Sequence, residues 1–594
     1  MNFFILVELL KYYVLDNSML FPTTSWVYAA KMTTLTNLGY FIDIFGAEDI
    51  TNKTAMLIKG VIIDYETRYS LAADLATCQS TEFSFYFDSE IQVLYIHFDH
   101  DISPYAHVIE YGKVLGFTND KIRTFNEISY LPEVLVLPKL NIKIDDFIFS
   151  KLAYYGGNLI INNNNREFDS DYIFTGNDVF IYFGEDGDAY GDLILIANNF
   201  VTNSQLSFSE LNLIIKDKRE QQSEEILTDT FSLTDYPDID PDLVGTIKPD
   251  AWGYCKGVPG ICVNSQSVTK KKFYFASVIT NTPTPVFYTN YDEEWQVVTA
   301  DSIDYANGTA TFLLEDTHVF SDDTKGILDL KCDAVFNPET NPADIIAELN
   351  DRFLDITYNS TNYDTSEWTD EKQYLDDIGF YLNESKDIND VIEKIQNMST
   401  VNFQYMFYDG KRTIRLDNPN RVDSFIDNAH ILNPIKIGND NQNYASSVII
   451  NYNKDYTDDK FREYRNDDYS NESIQIHRKA NVLPLETGLK TEDLAIDKSI
   501  IFLEDLYKDR FVTKLLFSGK DFYNYRLLDI LTIELSYNGE KNSNGEIINQ
   551  RTFLGEQRMK IIGLSPNFRD GTIMITLKQC EFSQNYEDIT GYTT

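Results

Sequence analysis

The sequence of 594 residues is poor in cysteine and has no long apolar run. Its five cysteines are scattered and form no CxxC pair, so they predict neither a zinc ribbon nor a disulfide framework. The apolar N-terminal segment is interrupted by Glu8 and Lys11 and lacks a basic region, which argues against a signal peptide. No other stretch approaches the roughly 20 uninterrupted apolar residues of a membrane span. We therefore expect a soluble chain that assembles in a reducing compartment.

The sequence also lacks the short motifs that mark common active sites. It contains no Gly-x-Ser-x-Gly, no phosphate-binding loop and no Gly-x-Gly-x-x-Gly after a strand. Because the chain has 93 Asp and Glu residues, no single pair of carboxylates points to glycosidase chemistry. The sequence therefore predicts no enzyme, no catalytic residue and no bound cofactor.

Basic residues are in deficit, with 50 Lys and Arg against the 93 acidic residues and a formal net charge of -43. A groove that binds nucleic acid needs clustered Lys and Arg to neutralise phosphates, so this balance argues against one. A negatively charged wall would instead repel a duplex and let it slide past. Solubility alone also explains the acidity.

Aromatic residues are abundant, with 39 Tyr and 39 Phe, and they favour strands over helices. The fold class that we predict is mainly β with α+β parts, built from several antiparallel β-barrel or sandwich domains and a few short helices. The length predicts about three to five domains. Composition and periodicity divide the chain into an N-terminal helix and arm (1–32), a first β-domain (33–135), a second β-domain (136–234), a turn-rich corner with a β-region (235–340), an α+β domain (341–430) and a C-terminal β-domain with one helix (431–594).

The most constrained stretch runs from Asp235 to Val263 and is dense in proline and glycine. Proline fixes φ and glycine permits positive φ, so the stretch predicts a chain of forced turns. Apolar residues such as Trp252 lie between these turns and indicate that they are packed. We interpret the stretch as a rigid corner that joins two bodies.

Helical and hairpin signals appear after this corner. Asn341-Pro342 is typical of a helix start, and a second apolar pattern of helical period follows Ser385. Asp409-Gly410 predicts a hairpin tip, and Asp570-Gly571 predicts another turn. A third helix is predicted over roughly Asp497 to Phe517.

The densest group of possible metal ligands is His97-Phe98-Asp99-His100-Asp101, with His107 nearby. On a strand, His97, Asp99 and Asp101 would share one face, whereas His100 would point to the other. The leading His-x-His of metallohydrolases is absent. An exposed polar strand edge is therefore the interpretation that we favour over a metal site.

A second group of oxygen ligands lies between Gly184 and Asp192. Asp186 and Asp188 are candidate calcium ligands, but the spacing lacks the terminal glutamate of an EF-hand loop. Since strong strand patterns flank the segment, a hairpin loop is the simpler interpretation.

Several segments, in order, resemble the hub or tail-tip proteins of tailed bacteriophages and phage-like particles. The segment around Asp-Pro-Asp-Leu-Val-Gly (240–245) is similar to one of that family, and a strand ending near 214–220 precedes it. Resemblance runs from about Leu140 to the C-terminus, whereas residues 1–130 match less clearly. The other segments that carry it are 156–169, 341–351, 385–416, 509–533 and 555–577.

The resemblance implies a structural, non-enzymatic virion protein at the tail tip, assembled in the host cytoplasm. It implies a homo-oligomer, expected to be a trimer of β-barrel-like domains that closes the end of the tail tube. Its implied partners are the distal tail ring protein, the tape-measure protein and spike or fibre proteins, with DNA only in transit. Whether the chain is the hub or an adjacent ring protein is left open.

Two other functions remain open from the sequence. The tyrosine-rich strands and Asp/Asn loops would also suit a carbohydrate-binding surface adhesion protein, which needs exposed aromatic residues clustered in a groove. A cell-wall hydrolase would depend on His97, Asp99 and His100. No substrate is suggested for either function.

Overall fold

The computed structural model confirms a mainly β protein with α+β parts. It describes residues 3–15, 20–24, 27–31, 58–63, 67–71, 84–88 and 93–97, and residues 109–592 except 126–127, 140, 147–150, 167, 169–173, 218–223, 266–269, 292–293, 314–328, 409, 422–423, 427–429, 434, 440–443, 509, 538–550 and 568–569. None of the helices within these ranges is both long enough and apolar enough to cross a lipid bilayer.

The strands of the first part of the chain are β1 (Phe3–Leu15), β2 (Leu20–Thr24), β3 (Val27–Lys31), β4 (Ile58–Ile63), β5 (Thr67–Leu71), β6 (Ser84–Asp88), β7 (Val93–His97), β8 (Ile109–Thr118), β9 (Arg123–Phe125), β10 (Ile128–Tyr130), β11 (Val134–Val136), β12 (Asn141–Asp146), β13 (Lys151–Tyr155), β14 (Gly157–Asn162), β15 (Asp178–Glu185), β16 (Ile194–Leu206), β17 (Glu210–Asp217) and β18 (Glu225–Ile226). Thirteen of them form one sheet, in the order β11-β14-β17-β16-β15-β1-β8-β4-β5-β6-β7-β3-β2.

The remaining strands are β19 (Asp250–Pro259), β20 (Ile261–Cys262), β21 (Lys270–Tyr274), β22 (Val286–Tyr291), β23 (Glu294–Val298), β24 (Ser302–Asp304), β25 (Thr309–Leu313), β26 (Leu330–Phe336), β27 (Gly379–Leu382), β28 (Lys386–Asp387), β29 (Phe403–Tyr408), β30 (Lys411–Leu416), β31 (Ser424–Ile426), β32 (Ile437–Asn439), β33 (Ser447–Asp455), β34 (Lys460–Asn466), β35 (Val482–Glu486), β36 (Phe511–Ser518), β37 (Ile530–Tyr537), β38 (Arg551–Asn567) and β39 (Thr572–Gln579). The helices are α1 (Pro342–Leu354), α2 (Thr365–Lys372), α3 (Ile388–Ile395), α4 (Ser470–His477), α5 (Glu492–Leu506) and α6 (Gln584–Thr590).

Two eight-stranded sheets complete the main framework. One is centred on β19, which pairs with β26, β27 and β33, and the other on β38, which pairs with β12, β37 and β39. Buried side chains of the thirteen-stranded sheet and of the sheet around β38 belong to one hydrophobic core. Strand β1, near the start of the chain, and strand β39, near its end, therefore contribute to the same core.

The N-terminal helix that the sequence predicts within 1–32 is wrong, because residues 3–15 form strand β1. This strand pairs with β8 on one side and β15 on the other. Ile5, Val7 and Leu9 face the large core, whereas Phe4 and Leu6 pack into a separate cluster on the opposite face. An apolar run that is buried on both faces has no need of helical spacing, and this is why the periodicity misled. The domain boundaries themselves stay a prediction.

The chain of turns predicted over 235–263 is confirmed only in its first part, and the interpretation as a corner that joins two bodies stays a prediction. Residues 235–249 do form turns, including a short 3-10 helix at Pro241–Leu243 whose first turn is capped by the Asp240 side chain. Residues 250–259, however, form the ten-residue strand β19. Gly253 has a φ of +66°, and a Cβ there would lie 1.9 Å from the Ile378 carbonyl oxygen, so glycine serves as a close-packed irregularity within a strand rather than as a turn.

The helical signals after the corner are confirmed at two of three places. The Asn341 side chain caps α1, α3 follows Ser385, and β29 and β30 form a hairpin with Gly410 at positive φ. The turn at Asp570-Gly571 joins β38 to β39. The helix predicted over 497–517 is wrong in its second half, because α5 ends at Leu506 and alternating burial in β36 marks a strand.

Candidate functional site

The predicted acidic loop is the turn between β15 and β16, and its carboxylates are paired with cations. Asp186 lies 2.8 Å from the Arg123 guanidinium and 3.2 Å from the Lys121 ammonium. Hydrogen bonds from Arg123 and then Lys121 hold the pKa of Asp186 below its ordinary value. Both cations come from the segment that follows β8, and Arg123 begins β9, so the loop links the thirteen-stranded sheet to the small sheet of β9 and β10.

Asp188 connects the same loop to the C-terminal sheet. Its carboxylate accepts hydrogen bonds from the backbone N–H of Glu185 at 2.9 Å and from the Lys520 ammonium at 2.7 Å. Burial alone would raise the pKa of Asp188, but these two donors outweigh it and lower the pKa. Close by, the rings of Phe183 and Tyr523 stack with centroids 4.2 Å apart. The loop thus acts as a brace between two sheets, and a calcium ion would have to displace its cations.

The histidine-rich group lies mostly outside the described residues. His97 ends β7, where it is in register with Val27 of β3 and Ser84 of β6. Asp99, His100, Asp101 and His107 are not among the residues that the structure describes. Within the described ranges, no group of three or more His, Cys, Asp or Glu side chains is arranged to hold a metal ion. The interpretation of this group as an exposed polar strand edge, favoured over a metal site, therefore stays a prediction.

A polar network that the sequence did not predict surrounds Asp250 at the start of β19. Asp250 is 1% exposed and accepts hydrogen bonds from the Ser277 backbone and hydroxyl, from the Asn337 amide and from the Arg352 guanidinium at 2.7 Å. With five donors, counting the Ala251 backbone N–H, and almost no exposed surface, Asp250 connects β19 to α1 and to the residue that follows β26. It is not accessible to a substrate.

Glu348 of α1 belongs to the same network but is further than Asp250 from the shared cation Arg352. Its carboxylate accepts a hydrogen bond from the Trp252 indole N–H at 2.6 Å and lies 3.6 Å from the Arg352 guanidinium. Burial raises the pKa of Glu348 to about 7, because the Trp252 hydrogen bond and the Arg352 charge oppose burial only in part. A carboxyl group with this pKa suits proton transfer at neutral pH, and it is the residue here that most resembles a catalytic acid.

A further candidate site is a cavity of about 70 Å³ between the end of α5, the start of α6 and strand β38. Its polar part contains Asp417, Glu504, Asp505, Arg510 and Lys560, and its apolar part contains Phe502 and Phe582. We call this space the α5–α6 cavity. Enclosed cavities with an apolar wall and a few convergent polar groups are the usual form of small-ligand sites.

The charged groups of the α5–α6 cavity form linked ion pairs. Lys560, 3% exposed, bonds to Asp417, whereas Lys578, 1% exposed, lies 3.4 Å from Asp505. Arg510 bridges Asp505 at 3.7 Å and Glu581 at 3.0 Å. Burial alone would raise the pKa of Asp505, but the charges of Lys578, Lys560 and Arg510 outweigh it and hold the pKa far below its ordinary value.

Sequence patterns did not predict these two networks. Asp250 and Trp252 lie in the stretch from Asp235 to Val263, for which the sequence predicted only packed turns, and their partners are up to 102 positions away along the chain. Asp505 and Lys578 are 73 positions apart. A local sequence signal does exist for α2. Asp364 caps this helix by accepting a hydrogen bond from the backbone N–H of Glu367, in an Asp-x-x-Glu pattern that resembles a capping box.

No protein-family model and no curated protein matches this sequence. Among solved structures, the chain is similar to the tail protein from Neisseria meningitidis MC58, with 10% identity, a TM-score of 0.36, and coverage of 79% of this chain and 98% of that one. It is also similar to a chain from the virion of a native gene transfer agent particle, with 12% identity, a TM-score of 0.37, and coverage of 60% and 87%. A third is the 43 kDa tail protein of prophage MuSo2 from Shewanella oneidensis, with 8% identity, a TM-score of 0.34, and coverage of 79% and 98%. At these identities and scores, the function has to be inferred from the chain's own residues.

Proposed function

We propose that this chain is a structural protein of a phage-type virion tail, located at the tail tip, where it forms the hub. In this role it links the tail tube and the tape-measure protein to the central spike or fibres. The proposal describes a scaffold whose work is mechanical, and it assigns no catalytic residue.

The observation that supports this function best is the order of the segments that resemble the hub family. Each falls on a defined element, and the elements follow in the family's order. The turns before β19 come first, then α1 with its Asn341 cap, then α3 leading into the β29–β30 hairpin. Strands β36 and β37 and the long β38–β39 hairpin complete the series. A single segment of this kind is common, but the ordered set is specific.

The internal bracing suits a part that bears force. Glu367 of α2 accepts hydrogen bonds from Arg415 of β30 and from Arg526. Arg526 lies 159 positions after Glu367 along the chain. Arg415 also bonds to Asp529. A protein loses much stability when one partner is removed from a buried or partly buried charged network. Such a network therefore holds the elements that it connects in fixed positions relative to one another.

We further propose that the chain acts as a trimer and contacts the distal tail ring protein, the tape-measure protein and spike or fibre proteins. A net charge of -43 would repel DNA from a central passage and allow it to slide through. Mapping charge onto an assembled ring tests the DNA-passage part. That part is wrong if the acidic residues lie on the outside of the ring.

Light scattering on the purified 68.5 kDa chain is the first test, alone and then after mixing with lysate of its own particle. We expect either a trimer or a ring-sized complex that forms on mixing, followed by labelling of the tail tip in electron micrographs. A persistent monomer without tail-tip labelling would contradict the proposal.

The same preparation tests the adhesin alternative with a glycan-binding assay. Large exposed aromatic residues occur on separate elements: Phe208 in the turn between β16 and β17, Phe425 on β31 and Phe582 after β39. Within the described residues these three rings thus belong to different elements, whereas a sugar-binding groove needs aromatic side chains clustered together. Saturable glycan binding by a monomer would nonetheless favour the adhesin over the hub.

A further inference from the structure

We propose that the α5–α6 cavity binds an alkylammonium group, either of a small amine or of a lysine side chain. The test of this proposal does not depend on the proposed function. Four features of the cavity support this assignment: its size, its aromatic wall, an incompletely neutralised glutamate and a buried hydroxyl without a partner.

Size and wall chemistry fit an ammonium on a short alkyl chain. A volume of about 70 Å³ holds several waters or the last few atoms of a lysine side chain. Phe582 contributes an aromatic ring that is 47% exposed although it lines the cavity, whereas the Phe502 ring already has the Lys498 ammonium 4.7 Å from its centroid. Aromatic faces attract cations, so Phe582 is the aromatic ring that a bound ammonium would contact.

The charge of the lining favours a cation over an anion. Asp417, Asp505 and Glu581 each have a cationic partner, as described above. Glu504 differs, because the contact to its carboxylate is the Ser583 hydroxyl, which donates a hydrogen bond of 2.5 Å to Oε2. Within the described part of the chain, no Lys, Arg or His lies at ion-pair distance from the Glu504 carboxylate. An ammonium N–H donated to this carboxylate would form a charge-assisted hydrogen bond, which is stronger than a neutral one.

The fourth feature of the cavity is the hydroxyl group of Tyr586. Tyr586 is 0% exposed and lines the cavity, and its hydroxyl oxygen has no hydrogen-bond partner among the described residues. Burial and then the charge of Asp417, another cavity residue, raise the pKa of Tyr586 well above its ordinary value. A buried hydroxyl without a partner has lost the hydrogen bonds that it makes with water in the unfolded chain. An ammonium N–H directed at this oxygen would replace one of them.

Calorimetry on the full chain at neutral pH tests the assignment with n-butylammonium, 1,4-diammoniobutane, 1-butanol and butyrate. We expect saturable binding of the two ammonium compounds and none of the neutral or anionic analogues. Glu504→Gln keeps an acceptor for Ser583 but removes the charge, and we expect it to weaken ammonium binding about tenfold or more. Tyr586→Phe should weaken binding about threefold or more while preserving the ring.

The matched control is Asp588→Asn, which removes one negative charge from an exposed position on α6. It should leave ammonium affinity unchanged within about twofold. Equal effects of Glu504→Gln and Asp588→Asn, or equal binding of 1-butanol, would overturn the proposal. A second arm compares n-butylammonium with Nα-acetyl-lysine methylamide. Tighter binding of the lysine derivative assigns the site to a polypeptide side chain, and tighter binding of the free amine assigns it to a small amine.

Discussion

Glu348, in the polar network around Asp250, and Asp505, beside the α5–α6 cavity, are buried to nearly the same degree, with side chains 24% and 27% exposed. Their pKa values nevertheless shift in opposite directions, to about 7 for Glu348 and far below the ordinary range for Asp505. Burial penalises both charged forms. Three cations act on Asp505, whereas among the described residues the cation beside Glu348 is Arg352, which is closer to Asp250. The number of nearby cations, and not the depth of burial, decides the outcome.

Removing the Asp505 charge should break this comparison with the largest effect. In Asp505→Asn, the buried ammonium of Lys578 loses its carboxylate, and we expect the free energy of unfolding to fall by about 3 kcal/mol. Urea unfolding followed by tryptophan fluorescence measures this loss, with Asp588→Asn as the exposed control. Since the pKa of Asp505 is lowered in the folded state, the wild-type advantage should be present above pH 3.8 and disappear as the pH falls towards the folded pKa. A loss no larger than that of the control would contradict this interpretation of the network.

Glu348 should show the reverse dependence on pH. Because its folded pKa is raised, its contribution to stability is full below pH 4.5 and is lost as the pH rises through about 7. We expect Glu348→Gln, which can still accept from Trp252, to flatten this part of the stability curve. Above pH 7, the free energy of unfolding of the variant should exceed that of the wild type by about 1–2 kcal/mol.

Thermal unfolding measured at several pH values between these limits separates the two curves. Asp351→Asn is the matched control, because Asp351 is exposed on the same helix. Identical slopes for wild type and Glu348→Gln would mean that Glu348 is ionised throughout, and the contrast with Asp505 would then fail.

The two networks also show what the sequence could and could not predict. Local chemistry predicted the Asn341 cap, the hairpin with Gly410 and the β-rich fold, because each depends on residues within a few positions of one another. β1 was missed because a strand buried on both faces has no alternating pattern. Asp250 and Asp505 were missed because their partners are brought together only by tertiary structure. Among 93 acidic residues, sequence alone cannot indicate which carboxylates meet a cation.

The acidic loop extends the comparison to a carboxylate whose cationic partner is exposed to solvent, with the smallest expected effect. Asp188 accepts from one cation, Lys520, whose side chain is 22% exposed, whereas the Lys578 side chain beside Asp505 is 2% exposed. Asp188→Asn should therefore lower the free energy of unfolding by only about 0.5–1 kcal/mol, because solvent screens an exposed pair. Calcium at millimolar concentration should leave the melting temperature of the wild type unchanged, since Lys520, Lys121 and Arg123 already pair with the loop carboxylates. If calcium instead stabilises the wild type and this gain disappears in Asp188→Asn, the loop is an ion site after all, and its cations are secondary.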